Sequence, residues 1–571
     1  MEVNIPERAP RKFIPEELTI ESWETIKPYF DKLLERNPQT PEELKQWFAD
    51  RSELGAALSE NMGWRYIKMT CDTDNEELQQ SFDQFVQEIS PRVAPISNQL
   101  NKKALENKAL KQINESGYPI MIRDLEKDVR TFREENIPLN TKMQIEQKKF
   151  GQINGAMTVE VKGQELTLQQ AANYLMSSDR ALREEVYRKV QDRRLQDKEV
   201  LDELFNTLIK LRDEVARNAD FENYRDYMFV AKGRFDYKPE DCFAFHNSVA
   251  KAVVPILDQL ALERKEKLGV ERLRPWDKKV EPSGAAPLKP FETGEELTDK
   301  GIEVFRRVDE YLGSCLATMK AMGHLDLESR KGKAPGGYNY PLMEIGVPFI
   351  FMNATSNLRD MVTLMHEGGH AVHSFLTRDL ELADFKNTPS EVAELASMAM
   401  ELISMDHWDV FFPDPEDLRR AKKEHLAQVI DTLPWVATID KFQHWIYENP
   451  EHSNEERVKA WNDILDTFSD TITDWNGLEE EKNYMWQKQL HLYEVPFYYI
   501  EYGFAQLGAI AVWKNYKEDP QKGLEGYINA LKLGYTKNIP EIYRAANIHF
   551  DFSSDYIQEL MTFVQDEINK L

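Results

Sequence analysis

Leu364-Met365-His366-Glu367-Gly368-Gly369-His370-Ala371-Val372-His373 carries the pattern around which the rest of the chain is organised. His366 and His370 are four residues apart, so on a helix both rings leave one face and can grip one metal ion. Imidazole nitrogens suit zinc. Glu367 follows the first histidine, so it lies beside such an ion rather than on it, placed to take a proton from water. With 11 His in 571 residues, a chance His-Glu-x-x-His arises in roughly one of 50 such chains, so the pattern is specific without being decisive. The preceding Met361-Val362-Thr363-Leu364-Met365 is apolar, which predicts a buried helix. Gly368 and Gly369 each cost a helix roughly 1 kcal/mol against Ala, which predicts a compensating close approach of another backbone.

Two histidines leave a metal short of a ligand. Metzincin-type sites continue with a glycine three residues after the second histidine and a third histidine three further on. Here those places hold His373 and Leu376, so that pattern is absent. A carboxylate from a separate helix is preferred. Pro389-Ser390 resembles a helix start, and Glu391, Glu394 and Glu401 then fall near one face among Val, Ala, Leu and Met. A carboxylate on so apolar a face needs a partner, which a metal, a salt bridge or a ligand histidine can supply. Periodicity does not choose among the three. His373 shares the His366/His370 face and is expected to face substrate or support the ligands.

A further cluster lies downstream: His491, Tyr493, Tyr498, Tyr499 and Tyr502. Pro496 fits the first turn of a helix running towards Trp513. A phenol or an imidazole there can donate to the oxyanion of a tetrahedral intermediate, although aromatic core packing explains the same residues.

Outward from these motifs the chain reads helical. Glu42 to Leu58 and Asn75 to Leu110 show apolar residues at three- and four-residue spacing. Asp179 to Asn218 is the longest charged amphipathic run, expected as a solvated helix face. Three breaks interrupt the pattern. Thr158 to Thr167 alternates around Lys162-Gly163, which predicts a β-hairpin. Leu273 to Thr298 crowds Pro275, Pro282, Gly284, Pro287, Pro290 and Gly294, which predicts a loop or a boundary between helical units. Lys331 to Thr355 ends in Val347-Pro348-Phe349-Ile350-Phe351-Met352-Asn353, a short buried or edge strand, with Pro348 favouring the edge. The expected division is an N-terminal helical region over 1–190, with the hairpin near 150–167, and a catalytic region over 191–571.

Composition narrows the classes. The chain has 72 Lys+Arg and 99 Asp+Glu, so 72 − 99 = −27. Such an acidic surface repels phosphate backbones and argues against nucleic-acid binding. Hydrophobic residues make 41%, enough to exclude a disordered chain. The apolar run Gly503 to Trp513 is too short to span a bilayer, and no signal peptide opens the sequence. Cys71, Cys242 and Cys315 are far apart and odd in number, which argues against a disulfide framework and a thiolate zinc site. The expectation is a cytoplasmic protein without membrane partners; monomer and homo-oligomer stay open.

Taken together, the motifs resemble those of the thimet-oligopeptidase-type zinc metallopeptidases, with the oligoendopeptidase F and Pz-peptidase branch nearest. The resemblance rests on Pro335-Gly336-Gly337-Tyr338, Pro348-Phe349-Ile350, Asp360 through Ser374, Glu394-Leu395-Ala396-Ser397 and Phe497 through Gly503. It implies a mostly helical, two-lobed metallopeptidase with a deep substrate channel and a small β-sheet beside the zinc helix. It implies one zinc ion per chain, His366, His370 and Glu394 as ligands, and Glu367 as general base. It places Tyr499, Tyr502 and His491 near the oxyanion. It puts Tyr498, Gly337, Tyr338, Phe349, Phe351 and His373 by the substrate, with the Phe349 to Asn353 strand pairing with peptide by β-augmentation. The implied function is endopeptidase cleavage of short peptides. A metallocarboxypeptidase on the same helix and a catalytically silent peptide-binding protein are the alternatives. Asn339 and Tyr340 stand where relatives often carry Cys, a departure expected to be neutral.

Overall fold

The computed structural model describes residues 5–330, 332–334 and 336–571; Lys331 and Pro335 of the third break lie outside them. Helices dominate the described chain, and the strands are short: β1 (Thr158–Val161), β2 (Gln164–Thr167), β3 (Leu325–Glu328), β4 (Tyr338–Tyr340) and β5 (Phe349–Ala354). The backbone gathers into two compact units. The first takes Met1–Phe132, Leu288–Lys422 and Ala505–Phe550; the second takes Arg133–Pro287, Lys423–Phe504 and Asp551–Leu571. The passage at Pro287/Leu288 falls inside the stretch where proline and glycine crowd together.

In the first unit, helix Pro41–Cys71 opens with a capping box. The Thr40 hydroxyl accepts from the Glu43 N–H, Glu43 reaches back to the Thr40 N–H, and Pro41 needs no donor at this position. Trp47, Phe48 and Leu54 enter a core with Ile26, Phe30, Leu33, Leu100 and Tyr118. Each such side chain contributes roughly 1.5–3 kcal/mol on burial, and Trp47 Nε1 keeps a partner in the Leu33 carbonyl at 2.9 Å. The Asn75 to Leu110 stretch is less regular than its periodicity predicts. It forms helices Glu76–Gln84 and Ser90–Glu106 around a wider π turn at Phe85–Ile89. Pro91, which lacks an N–H, stands where the ladder would have to continue.

The three-stranded sheet of this unit has the order β3-β5-β4, with β3 parallel and β4 antiparallel to β5. β5 is therefore a central, buried strand; of the two readings open in the sequence, the edge that Pro348 favours is the one corrected. Pro348 immediately precedes the strand, so its missing N–H interrupts no ladder bond. The peptide-pairing role expected of Phe349 to Asn353 is corrected with it, because both sides of β5 are occupied. Phe349 is 5% and Phe351 0% exposed. They pack with Ile67 and Leu342, against Trp64 and Tyr338, so these two rings are core and do not present themselves to substrate.

In the second unit β1 and β2 form the expected antiparallel hairpin. Lys162 (φ 52°) and Gly163 (φ 77°) supply the two left-handed residues that a tight turn of this hand requires. The charged run 179–218 is two helices, Arg180–Gln196 and Lys198–Asn218, parted at Asp197. Part of its charge is buried rather than solvated. Arg183 donates to Asp277 at 2.8 Å, and Arg212 donates to the Tyr447 hydroxyl at 2.7 Å and the Leu492 carbonyl at 2.8 Å.

Candidate metal centre

The histidine helix spans Leu358–Thr377. Its start is fixed locally: the Asn357 side chain accepts from the Asp360 N–H at 3.0 Å, and the Asp360 carboxylate accepts from the Thr355 N–H at 2.6 Å. Leu358, Met361, Leu364 and Met365 bury the apolar side. The partner is helix Ser390–Ser404, almost every residue of which is buried.

The paired glycines let the two helices touch. A Cβ on Gly369 would stand 2.6 Å from Ser397 Cα and 2.7 Å from the Ala396 carbonyl oxygen, and one on Gly368 would run into the Phe305 ring. This is the backbone approach that the glycine pair predicts. Gly369→Ala is expected to force the helices apart, at a cost of about 1–3 kcal/mol. An unchanged denaturant midpoint for that variant would remove this contact from the account. Two tyrosines brace the second helix from elsewhere in the unit. Tyr527 donates to the Ala396 carbonyl at 2.7 Å, and Tyr543 to the Glu391 carbonyl at 3.2 Å.

Contact between the helices brings His366, His370 and Glu394 together, with one donor atom from each lying within 4.8 Å of the others. Glu394 Oε2 is 3.3 Å from His366 Nε2 and 3.8 Å from His370 Nε2. The ends of these groups stay reachable, since 21% of the His366 side chain and 19% of the His370 side chain meet solvent. Each is oriented from behind. His366 Nδ1 is 2.6 Å from Glu401 Oε1, the His370 ring hydrogen-bonds to the Ala393 backbone, and the Ser397 hydroxyl donates to Glu394 Oε2 at 3.3 Å. A ligand histidine is commonly held in this way through its far nitrogen. Glu391 is buried in the first turn of its helix.

Charge at the site follows from this packing. Surrounding protein desolvates His366, which opposes protonation, but Glu394 and Glu401 outweigh that and hold its proton well above the usual range. Desolvation lowers His370 to about 4. Glu367 is 7% exposed. Burial pushes its carboxyl up to about 7, opposed by His366 and aided by Glu394 and Glu401. Two imidazoles and a carboxylate, converging from two helices and favouring positive charge between them, fit a divalent transition ion with room for water.

His373 does not join this group and does not face substrate. It is 5% exposed, and its ring hydrogen-bonds to the Leu531 backbone. The helix continues past His370 into the core, and the shared face goes with it. β4 edges the sheet beside the histidine helix. The Tyr338 hydroxyl is 2.6 Å from the Thr70 hydroxyl, its ring stacks on Phe351 at 4.9 Å, and Gly337 passes close under the Phe351 carbonyl. Asn339 Nδ2 donates to the Glu367 carbonyl at 3.2 Å. This residue, expected to be neutral, ties the strand to the turn that carries the glutamate; nothing in the local sequence signals that bond. Tyr527 and Tyr543 are equally silent in sequence, being helix aromatics like many others here.

In the second unit His491, Tyr498, Tyr499 and Tyr502 do form one cluster. The His491 ring is 4.8 Å from Tyr499 and about 6 Å from the other two (6.1 Å to Tyr498 and 6.0 Å to Tyr502), and its Nδ1 is 2.8 Å from Gln489 Nε2. The helix begins at Tyr499, not at Pro496, because Phe497 takes a left-handed conformation (φ 63°). For a buried aromatic residue that is strained backbone. It is held by Gln443 Oε1, which accepts from the Phe497 N–H at 2.6 Å, and by Arg234, which donates to its carbonyl.

A family model described as peptidase family M3 matches residues 173–562, and one described as the peptidase M3 N-terminal domain matches residues 13–132. An oligoendopeptidase F homolog of Borreliella burgdorferi is 24% identical over 345 residues, 57% of either chain. One from Lactococcus lactis subsp. lactis is 22% identical over 412 residues, 71% of this chain and 66% of its own. The chain thus spans 57% and 66% of the length of these curated relatives. Among solved structures, Pz peptidase A with an inhibitor superposes with a TM-score of 0.90 at 26% identity, covering 96% of this chain and 97% of the other.

Proposed function

The chain belongs to peptidase family M3, and from that premise we propose that it is a zinc-dependent oligoendopeptidase that hydrolyses internal bonds of short peptides. The observation that carries the proposal is the convergence of His366, His370 and Glu394 beside a buried Glu367. Asn339 also pins that glutamate's backbone. The named relatives, oligoendopeptidase F homologs, support the same class.

In this reading His366, His370 and Glu394 hold the zinc ion. When bound, zinc supplies a Lewis acid that makes water more acidic and polarises the scissile carbonyl. Glu367 takes the proton of the attacking water and hands it to the leaving amine. Its buried position makes it a stronger base than a surface carboxylate. Tyr502 and Tyr499, with His491, carry donors of the kind that stabilise an oxyanion, and Tyr498 clusters with them in the second unit. Peptide backbone pairs along Gly337 to Tyr340, since β4 is an edge of its sheet and β5 is not. Edge pairing reads backbone and tolerates many side chains. Among the described residues no helix is long and apolar enough to cross a membrane. The sparse cysteines fit a reducing compartment, so we place the protein in the cytoplasm.

The test is a peptide blocked at both ends, incubated with the zinc-loaded protein and with protein stripped by a chelator. Cleavage within the blocked peptide, lost on stripping and restored by zinc, is the expected result. Cleavage confined to peptides with a free C-terminus would convert the reading to a carboxypeptidase, and no turnover at all would leave a binding protein. Tyr502→Phe is expected to lower kcat on the order of 10²-fold with little change in KM, because its hydrogen bond forms only in the transition state. A pure KM effect would reassign the phenol to ground-state binding.

A further inference from the structure

The second unit holds a set of side chains that the peptidase reading leaves unused. Cys242 and His246 stand four apart on helix Pro239–Ala252, and Asp440 and His444 stand four apart on helix Pro415–Glu448. Each pair leaves one helix face, and the two faces meet. His246 Nε2 is 2.9 Å from Asp440 Oδ2, and His444 Nε2 is 3.3 Å from the same oxygen. Cys242, Asp440 and His444 offer one donor atom each, all within 4.8 Å of one another, as His366, His370 and Glu394 also do. The burial is far deeper here: Cys242 and Asp440 are 0% exposed, and His246 and His444 are 2% exposed.

The cluster is not satisfied by its own hydrogen bonds. His246 Nδ1, Asp440 Oδ1 and both ring nitrogens of His444 are buried without a hydrogen-bond partner. Native proteins pair nearly all such atoms, so four in one place call for an occupant. The walls are aromatic, with Phe243 and Phe497 at 4.8 Å and 5.5 Å from His444 and Phe468 at 6.3 Å from His246. A carboxylate among such rings needs a cation.

We propose that Cys242, Asp440 and His444 bind a second transition-metal ion of the zinc class, with His246 holding the Asp440 carboxylate in place. A thiolate, an imidazole and a carboxylate are donor types that such an ion takes, and the depth of burial suits a structural site. Binding releases the Cys242 thiol proton to solvent and ties the two helices together. The expectation of no thiolate site rested on the number and spacing of the cysteines, which a site with one thiolate and its other donors on a second helix does not need. The site is independent of the peptidase reading and survives its failure.

The test is to produce the full chain in cobalt-supplemented medium, so that the ion enters as the chain folds. Cobalt on a thiolate gives a sulfur-to-metal charge-transfer band in the near ultraviolet, which a His366, His370 and Glu394 site cannot give. The expected result is that band together with about two cobalt ions per chain, as metal binding and folding are coupled. Cys242→Ser is expected to lose the band and about one ion while keeping the other. His366→Ala is expected to lose the other ion and keep the band. A wild-type protein without the band overturns the proposal, even if Cys242→Ser fails to fold. A band that survives in folded Cys242→Ser also overturns it.

Discussion

Glu367→Gln is expected to keep its metal and lose turnover by about 10²–10⁴-fold, the usual worth of a positioned general base. The amide has the shape of the carboxylate but cannot accept a proton. Metal is retained because the converging donors are His366, His370 and Glu394, and Glu367 is not among them. Its place in the fold is retained because the anchoring bond from Asn339 goes to the backbone carbonyl. Steady-state kinetics on the metal-loaded variant, with metal content measured on the same sample, checks both halves. Activity within about tenfold of wild type would remove Glu367 from the proton transfer.

The second large effect concerns which carboxylate completes the site. Glu394→Ala is expected to weaken zinc far more than Glu401→Ala, and Glu391→Ala is expected to weaken it least. Glu394 Oε2 reaches the Nε2 atoms of both histidines, and Ser397 holds that same oxygen. Glu401 acts on the far nitrogen of His366. Its loss frees the ring without removing a ligand and should cost roughly 10–100-fold in affinity. Glu391 sits in the first helical turn, where the helix dipole already favours a carboxylate. Zinc dissociation by competition with a chelator, on folded samples of all three variants, gives the order. If Glu394→Ala holds zinc like wild type while another of the three does not, the ligand set is wrong.

The site was legible in sequence to the extent that its chemistry is local. His366, Glu367 and His370 lie within five residues, and the Gly368-Gly369 pair announces a neighbouring backbone before that neighbour is known. Glu394 is legible as one of three candidates, because helical periodicity gives a face and not a distance. The Lys162-Gly163 hairpin is legible because two adjacent left-handed residues leave few alternatives. What depends on distant pairing is not legible. β5 is open to an edge reading because Pro348 precedes it, and β4, the three-residue strand that covers one side of it, has almost no pattern of its own to oppose that reading. Phe349, Phe351 and His373 carry residue types that suit a binding surface, and only the packed structure shows that they are buried. The left-handed Phe497 is fixed by Gln443 and Arg234, both remote in the chain. The Cys242 to His444 set spans some two hundred residues, and each half alone is an ordinary pair of helix side chains.

Endopeptidase activity is tested most directly by hydrolysis of an N- and C-blocked oligopeptide, followed by mass spectrometry of the products, with zinc loaded, removed and restored. A zinc-dependent endopeptidase yields two fragments from an internal cut, none after zinc is stripped, and both again when zinc is returned. Equal cleavage with and without zinc, or no cleavage of the blocked peptide by protein shown to carry zinc, would contradict it.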